Sequence, residues 1–231
     1  MIKAIIFDLD GVLFDEKEFV MSGFHEVSKY LSKKHNLDSG EIFKNLSGNF
    51  LNGLRKKNFD VLLKETNLKD EKVSKLIEIY RNHKPHISLY EDAAEVLPML
   101  RKKYKLGIIT DGRKKTQENK IHALSIKDYF DVITINTSEK KWKPNTDSFF
   151  FTVEKLGVKP WESVYIGDDP TKDFFGCRKI GTYTIRIRRG NGLYDHLDLD
   201  YQYEADYTVS DLLQVNSILR ELEEKIEREK I

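Results

Sequence analysis

Short apolar runs alternate with longer amphipathic stretches over most of the chain. The first run, residues 2–7, is almost wholly apolar and stops at acidic residues, which predicts a buried β-strand. Four later runs have the same character, and the stretches between them have helical periodicity. Such alternation predicts an α/β fold of three layers, a parallel sheet covered by helices on both faces. The predicted strands cover residues 2–7, 106–110, 132–135, 164–166 and 183–187, and the predicted helices cover 91–104, 114–124, 146–156 and 171–180.

One long segment interrupts this alternation. Residues 16–86 have helical periodicity, with apolar positions such as Phe19 and Phe24, and contain no convincing strand. A crossover between parallel strands needs only about a dozen residues, so this segment is too long for one. We therefore predict a helical domain inserted at 16–86 into a core made of 1–15 and 87–231.

Composition and charge restrict the class of protein. Hydrophobic residues make up 39% and charged residues 33% of the 231-residue chain, which is typical of a soluble globular protein. The formal net charge of +1 gives no general attraction to nucleic acid or to an acidic membrane. No apolar stretch approaches the ~20 residues that span a bilayer. The charged amphipathic tail, 211–230, is expected to form a helix that packs on the sheet.

A single cysteine, Cys177, cannot form an internal disulfide. This fits a reducing, cytoplasmic setting. The apolar, helical neighbourhood of Cys177 favours a packed structural thiol over a nucleophile.

Polar residues follow the ends of several predicted strands. Ligands of parallel α/β sheets bind beyond the carboxyl ends of the strands, so these residues are candidates for a site. They are Asp8 and Asp10 after the first strand, Thr110 at the end of the second with Asp111 next to it, Lys143 after the third, and Asp168 and Asp169 after the fourth.

The kinds of side chain in this set indicate phosphate chemistry. Asp8, Asp10 and Asp168 would place several negative charges in one small site, which requires protons or a cation. Oxygen ligands without His or Cys favour a hard ion such as Mg²⁺. Lys143 and Thr110 add a positive charge and a hydroxyl donor for phosphoryl oxygens. One carboxylate can then act as a nucleophile and another as an acid or base.

Each candidate also has an ordinary structural explanation when taken alone. Asp8 and Asp10 could form a turn, Thr110 could cap a helix, and Lys143 could lie at the surface. The functional interpretation rests on their occurring in order at successive strand ends.

Four ordered motifs give the chain its resemblance to the haloacid dehalogenase-superfamily hydrolases, over nearly its whole length. That family has a strand ending in Asp-x-Asp-Gly, a strand ending in Thr or Ser, a Lys often followed by Pro, and a strand ending in Gly-Asp with a further acid. The matching segments are residues 7–12, 108–112, 142–144 and 166–173. The resemblance implies a Rossmann-like core, with the inserted helices acting as a cap that closes over the site.

The same resemblance assigns roles to the carboxylates. It implies that Asp8 is the nucleophile and binds Mg²⁺ with its other oxygen. Asp10 is the general acid and base and offers its main-chain carbonyl to the metal, and Asp168 is a further metal ligand. Either Asp169 or Asp173 orients metal-bound water.

Phosphate binding is assigned by resemblance to four residues. Thr110 and Lys143 hold the phosphoryl group, and Lys143 also restrains Asp8. The main-chain N–H groups of Asp111 and Gly112 are expected to donate to the phosphate.

The activity favoured is that of a phosphatase acting on a small phosphorylated metabolite, such as a sugar phosphate or nucleotide. Asp10 argues against carbon–halogen cleavage, because dehalogenating members generally lack this aspartate. A sugar-phosphate mutase stays an alternative, although mutases of this cap class carry a His where this chain has Val20. A non-catalytic binding module is the third possibility. Candidates for substrate specificity are Asn49, Asn52, Arg55, Lys56 and Arg113, whereas Phe50 and Phe59 could form the core of the inserted domain.

Overall fold

The chain divides into two compact units. The structure is a computed structural model, and it describes residues 1–228. The larger unit combines Met1–Glu16 with the chain from Ser88 onward, and the smaller is Lys17–Ile87. Each division falls one position after the corresponding predicted boundary, and the assignment of domains stays a prediction.

The smaller unit is helical and has an aromatic core of its own. The Phe24 ring lies 6.1 Å from Phe50, 6.0 Å from Phe59 and 5.8 Å from Tyr80, measured between ring centroids. Phe50 and Phe59 therefore stabilise this unit. The helices formed from residues 16–86 are α1 (Glu16–His35), α2 (Ser39–Leu51), α3 (Asn58–Glu65) and α4 (Val73–Asn82).

Six parallel strands form one sheet in the larger unit. Their order across the sheet is β3-β2-β1-β4-β5-β6, which confirms the predicted α/β class. The sixth strand was not predicted, because its three residues include an exposed central position and form no apolar run. The strands are β1 (Ala4–Phe7), β2 (Lys105–Asp111), β3 (Val132–Asn136), β4 (Ser163–Gly167), β5 (Tyr183–Ile187) and β6 (Tyr207–Val209).

Strand β1 lies at the centre, between β2 and β4. All four of its residues are buried, as expected for a parallel sheet covered on both faces. The Asp8 N–H donates to the Ile166 carbonyl at 2.8 Å, which extends the ladder one residue beyond β1. Chain connections run outward in opposite directions from β1, so Asp8 lies at the switch point where such sheets bind ligands.

Helices follow the strands of the larger unit. Helix α7 packs on β2 and β3, and its Phe149 ring meets Tyr165 of β4 edge-to-face at 5.1 Å. None of the helices in residues 1–228 is long and apolar enough to cross a membrane. Positions 229–230 of the predicted tail helix lie outside the described residues. The helices are α5 (Glu91–Arg101), α6 (Lys114–Ala123), α7 (Asp147–Leu156), α8 (Phe174–Lys179) and α9 (Val215–Arg228).

Helix α8 begins three residues later than predicted. The Asp169 carboxylate accepts hydrogen bonds from the N–H of Thr171 at 3.0 Å and from its hydroxyl at 2.7 Å. These bonds offer the backbone an alternative to the helix, as Asp side chains commonly do. The segment between β4 and α8 therefore forms a turn beside the strand end.

Candidate active site

Three carboxylates meet beyond the carboxyl ends of β1 and β4. Asp8 follows β1, Asp168 follows β4, and Asp173 immediately precedes α8. One oxygen from each carboxylate lies within 4.8 Å of the others, and all three residues are buried. The structure therefore brings the predicted residues Asp8 and Asp168 together, with Asp173 as the third member.

Lys143 reaches into this cluster from the loop after β3. Its Nζ lies 2.7 Å from Asp8 Oδ2 and 2.7 Å from Asp173 Oδ1, and it donates to the Tyr165 hydroxyl oxygen at 2.8 Å. An ammonium group has three N–H donors, so these contacts use them all. Two carboxylates thus compensate the charge of a side chain that is fully buried.

Burial and neighbouring charges set the protonation of the cluster. Burial raises the pKa of Asp8 to about 7, although Lys143 partly opposes this rise. Burial also raises the pKa of Asp168 well above its ordinary value, and the charges of Asp173 and Asp8 add to this. Burial opposes ionisation of Asp173 too, but the charges of Lys143 and Lys172 outweigh it and lower the pKa of that carboxyl. The positive charge near the cluster is therefore too small to offset burial and mutual repulsion at Asp8 and Asp168.

This donor set fits a hard divalent cation. The cluster consists of carboxylate oxygens, and no His or Cys belongs to it within residues 1–228. Oxygen ligands of this kind suit Mg²⁺. The raised pKa of Asp168 reflects burial and repulsion that a bound cation would relieve.

Asp169 and Asp173, the two alternatives for supporting the metal, occupy different positions. Asp173 Oδ2 accepts the N–H groups of Asp168 at 3.1 Å and Asp169 at 2.9 Å, and its Oδ1 contacts Lys143. The Asp169 carboxylate instead turns toward Thr171 and lies 3.5 Å from the Nζ of Lys172. Asp173 is therefore the alternative that joins the carboxylate cluster.

Asp10 and Thr110 lie together beside helix α6. The Nζ of Lys120 lies 2.6 Å from Asp10 Oδ1, and Gln117 Nε2 donates to Asp10 Oδ2 at 3.0 Å and to Thr110 Oγ1 at 2.5 Å. Burial opposes ionisation of Asp10, but Lys120 and Gln117 outweigh it and lower the pKa of this carboxyl. The Asp10 side chain is thus directed to α6, and its metal contact through the main-chain carbonyl stays a prediction.

Asp111 and Gly112, whose N–H groups are predicted to bind phosphate, both contact Asn136 of the neighbouring strand β3. The Gly112 N–H donates to the Asn136 carbonyl at 3.0 Å, and its contact with phosphate stays a prediction. The Asp111 carboxylate accepts from Asn136 Nδ2 at 2.7 Å and from the Lys143 N–H at 3.3 Å. Asp111 therefore supports the loop that carries Lys143.

The backbone of Gly11 approaches the cluster so closely that no side chain fits there. Its φ is +73°, and a Cβ atom would lie 2.1 Å from Asp168 Oδ2. We expect Gly11→Ala to lower the free energy of unfolding by about 2–4 kcal/mol, from backbone strain and displacement of Asp168. Urea unfolding measures this. The control is Gly181→Ala, which has a φ of +87° but no atom within 4 Å of its added Cβ. It should lose only about 1 kcal/mol, and an equal loss would contradict the steric argument.

Four polar residues of this site were not found from the sequence: Tyr165, Gln117, Lys120 and Lys172. Gln117 and Lys120 had a detectable signal, because they are polar residues on the same helical face as the apolar Ile121 and Leu124. The surroundings of Cys177 are those of a packed structural thiol. The side chain is fully buried, and burial raises the pKa of its thiol well above the ordinary value.

Comparison with known proteins identifies the family of the chain. Residues 5–187 match the haloacid dehalogenase-like hydrolase family. The chain is 30% identical to glyceraldehyde 3-phosphate phosphatase of Methanocaldococcus jannaschii, over 96% of this chain and 99% of the relative. It is 28% identical to N-acylneuraminate-9-phosphatase of Rattus norvegicus, over 97% and 96% of the two chains.

A solved structure gives the same result. The crystal structure of a phosphatase of this superfamily from Thermococcus onnurineus superposes with a TM-score of 0.63 at 30% identity, covering 94% of this chain and 98% of the other. These findings confirm the predicted resemblance to a phosphatase-like hydrolase. The chain belongs to the haloacid dehalogenase-like hydrolase family.

Proposed function

We propose that this chain is a Mg²⁺-dependent phosphomonoester hydrolase that works through a phosphorylated Asp8. The observation that carries the proposal is the contact of 2.7 Å between Asp8 and the buried ammonium of Lys143, beside Asp168. A nucleophilic carboxylate needs nearby positive charge when it approaches an anionic phosphate. Lys143 supplies such charge, and the carboxylate cluster could bind a cation that adds to it.

In the first step, the Asp8 carboxylate attacks the phosphorus atom of the ester. A bond forms between phosphorus and Asp8, the bond to the ester oxygen breaks, and the departing alkoxide takes a proton from Asp10. Lys143 and the hydroxyl of Thr110 stabilise the phosphoryl oxygens. Asp10 carries this proton only if its pKa rises, and the negative charge of a bound phosphate acts in that direction.

In the second step, water attacks the phosphorus of the acyl phosphate. Asp10, now ionised, takes a proton from the water while the bond between phosphorus and Asp8 breaks. Inorganic phosphate and the free Asp8 carboxylate are the products. The contacts of Asp10 with Lys120 and Gln117 favour the ionised form that this step needs.

The residues proposed to hold Mg²⁺ are Asp8 and Asp168, together with the main-chain carbonyl of Asp10. Asp173 lies beside them and is proposed to support the site. When bound, the ion would shield the negative charge of the phosphate that otherwise repels a carboxylate nucleophile.

The proposed substrate is a small, hydroxyl-bearing metabolite carrying a phosphate monoester. The two relatives described above are named for glyceraldehyde 3-phosphate and N-acylneuraminate 9-phosphate, and both are such esters. The proposed cap is the inserted helical segment 16–86. Within it, Asn49 bonds to Asn45 and Asn58, which leaves Asn52, Arg55 and Lys56 as the more exposed candidates for specificity.

Phosphate release tests this function. The purified chain is incubated with p-nitrophenyl phosphate and with a panel of phosphorylated metabolites, in Mg²⁺ and after removal of metal by EDTA. We expect Mg²⁺-dependent release, and loss of at least about 100-fold in rate without metal, since metal stabilisation contributes several kcal/mol. Transfer of phosphate within a sugar, seen by product analysis, would identify a mutase. Absence of any turnover would favour a binding module.

A further inference from the structure

The buried residues of α6 include Gln117 and Lys120, two polar side chains that contact Asp10. They are three positions apart and therefore lie on the same side of the helix. Their exposed fractions are only 2% and 6%. Buried polar groups require partners, and both residues have partners at the proposed active site.

Together these side chains hold both carboxylate oxygens of Asp10. The Lys120 ammonium lies 2.6 Å from Oδ1, and the Gln117 amide donates to Oδ2 at 3.0 Å. A carboxylate fixed at one oxygen can still rotate, whereas a carboxylate fixed at both cannot. The Nζ of Lys120 also lies 5.9 Å from the centre of the Phe14 ring.

Gln117 has a second contact that determines the orientation of the Thr110 hydroxyl. The same amide nitrogen lies 2.5 Å from Thr110 Oγ1. Because the amide donates, the hydroxyl accepts, and its own hydrogen must point in another direction. The amide of Gln117 therefore contacts both Asp10, the proposed acid and base, and Thr110, a proposed hydrogen-bond donor to the phosphate.

We infer that Gln117 and Lys120 are positioning residues that fix Asp10 and Thr110 relative to each other. In this arrangement Asp10 can pass its proton to the leaving oxygen while Thr110 donates to a phosphoryl oxygen. Gln117 and Lys120 act through these two residues. The inference rests on the proposed function, and it extends the active site to the helix that follows β2.

Substrates with different leaving groups distinguish a misplaced acid from a general loss of folded protein. A p-nitrophenolate ion leaves without a proton, whereas an alkoxide needs one. The value of kcat/KM includes the steps up to loss of the leaving group. For Lys120→Met we expect kcat/KM to fall about 100-fold with the best alkyl phosphate of the panel and less than about tenfold with p-nitrophenyl phosphate. The ratio of the two losses does not depend on the fraction of folded protein.

Two matched variants complete this test. Lys120→Arg keeps a positive charge beside Asp10 and should recover alkyl phosphate hydrolysis to within about tenfold of the wild type, because the ion pair is retained. Lys115→Met removes an exposed lysine of the same helix and should leave both values unchanged. An equal loss with both esters in Lys120→Met would overturn the inference while leaving the proposed function in place.

Gln117 is tested by the binding of inorganic phosphate. Gln117→Met keeps the size of the side chain but loses both donors, so Thr110 is no longer oriented. We expect the inhibition constant of phosphate to rise about tenfold, which corresponds to one hydrogen bond to a charged group. Unchanged phosphate inhibition would overturn the role of Gln117. Absence of turnover by the wild-type chain would overturn the proposed function, and this inference with it.

Discussion

The Asp8→Asn variant is expected to lose at least about 10³-fold in kcat while remaining folded. Asparagine has nearly the same shape as aspartate, but its amide cannot form an acyl phosphate. The rate of phosphate release from p-nitrophenyl phosphate measures this loss. Asp128→Asn, at an exposed position after α6, is the control and should keep full activity.

Stability distinguishes the loss of a nucleophile from unfolding. Both Asp8 oxygens accept hydrogen bonds, from the Leu9 N–H and the Lys143 ammonium, each at 2.7 Å, so the amide NH₂ of the variant must face a donor. In the wild type, burial raises the pKa of Asp8 from 3.8 to about 7. A raised carboxyl pKa reduces wild-type stability as pH rises from about 4 to 7. The stability of the variant relative to the wild type should therefore improve over that range, as measured by urea unfolding.

Trapping the intermediate tests Asp8 directly. Wild-type protein mixed with substrate and quenched in acid should carry one additional phosphoryl group, located by mass spectrometry on the peptide that contains Asp8. The variant should carry none. A phosphoryl group on another residue, or a variant with more than about a tenth of the wild-type kcat, would contradict the assignment.

Lys143→Met is expected to reduce both activity and stability. The substitution keeps the length of the side chain but leaves Asp8 and Asp173 buried without the ammonium that contacts both. Removal of one partner from a buried ion pair destabilises proteins by about 3–5 kcal/mol. We expect a loss of that size in the free energy of unfolding near neutral pH, and phosphatase activity below about 1% of the wild type.

The pH dependence of this loss shows its electrostatic origin. Without Lys143, the pKa values of Asp8 and Asp173 rise, and a raised carboxyl pKa destabilises the folded state above the unfolded value. The stability difference from the wild type should thus grow between pH 5 and pH 8 in urea unfolding. Lys141→Met, an exposed lysine of the same loop, should stay within about 0.5 kcal/mol of the wild type. A deficit independent of pH would point to lost packing instead.

The main architecture could be predicted because its signals are local. Runs such as residues 2–7 and 106–110 are apolar, short and bounded by polar residues, and this pattern alone distinguishes buried strands from helices. The strand β6 and the start of α8 could not be found in this way. The first is too short to form a run, and the second depends on hydrogen bonds made by the Asp169 side chain.

The candidate site was predictable where its residues follow strands directly. Asp8, Thr110 and Asp168 come at the ends of three neighbouring strands, so the order of strands is enough to bring them together. Family membership followed from these same motifs, and the comparisons confirm it. The catalytic roles of these residues stay predictions, for which the variants above provide the tests.

The sequence by itself therefore determined the fold class, the family and the edge of the sheet at which the polar residues meet. Only the tertiary structure decided which side chains pair: Asp173 rather than Asp169 with Lys143, Gln117 with Thr110, and the Gly112 N–H with the neighbouring strand. The physical reason is distance along the chain. Apolar periodicity is encoded by adjacent residues, whereas hydrogen bonds and ion pairs between segments depend on ångström-scale positions that only the packed structure defines.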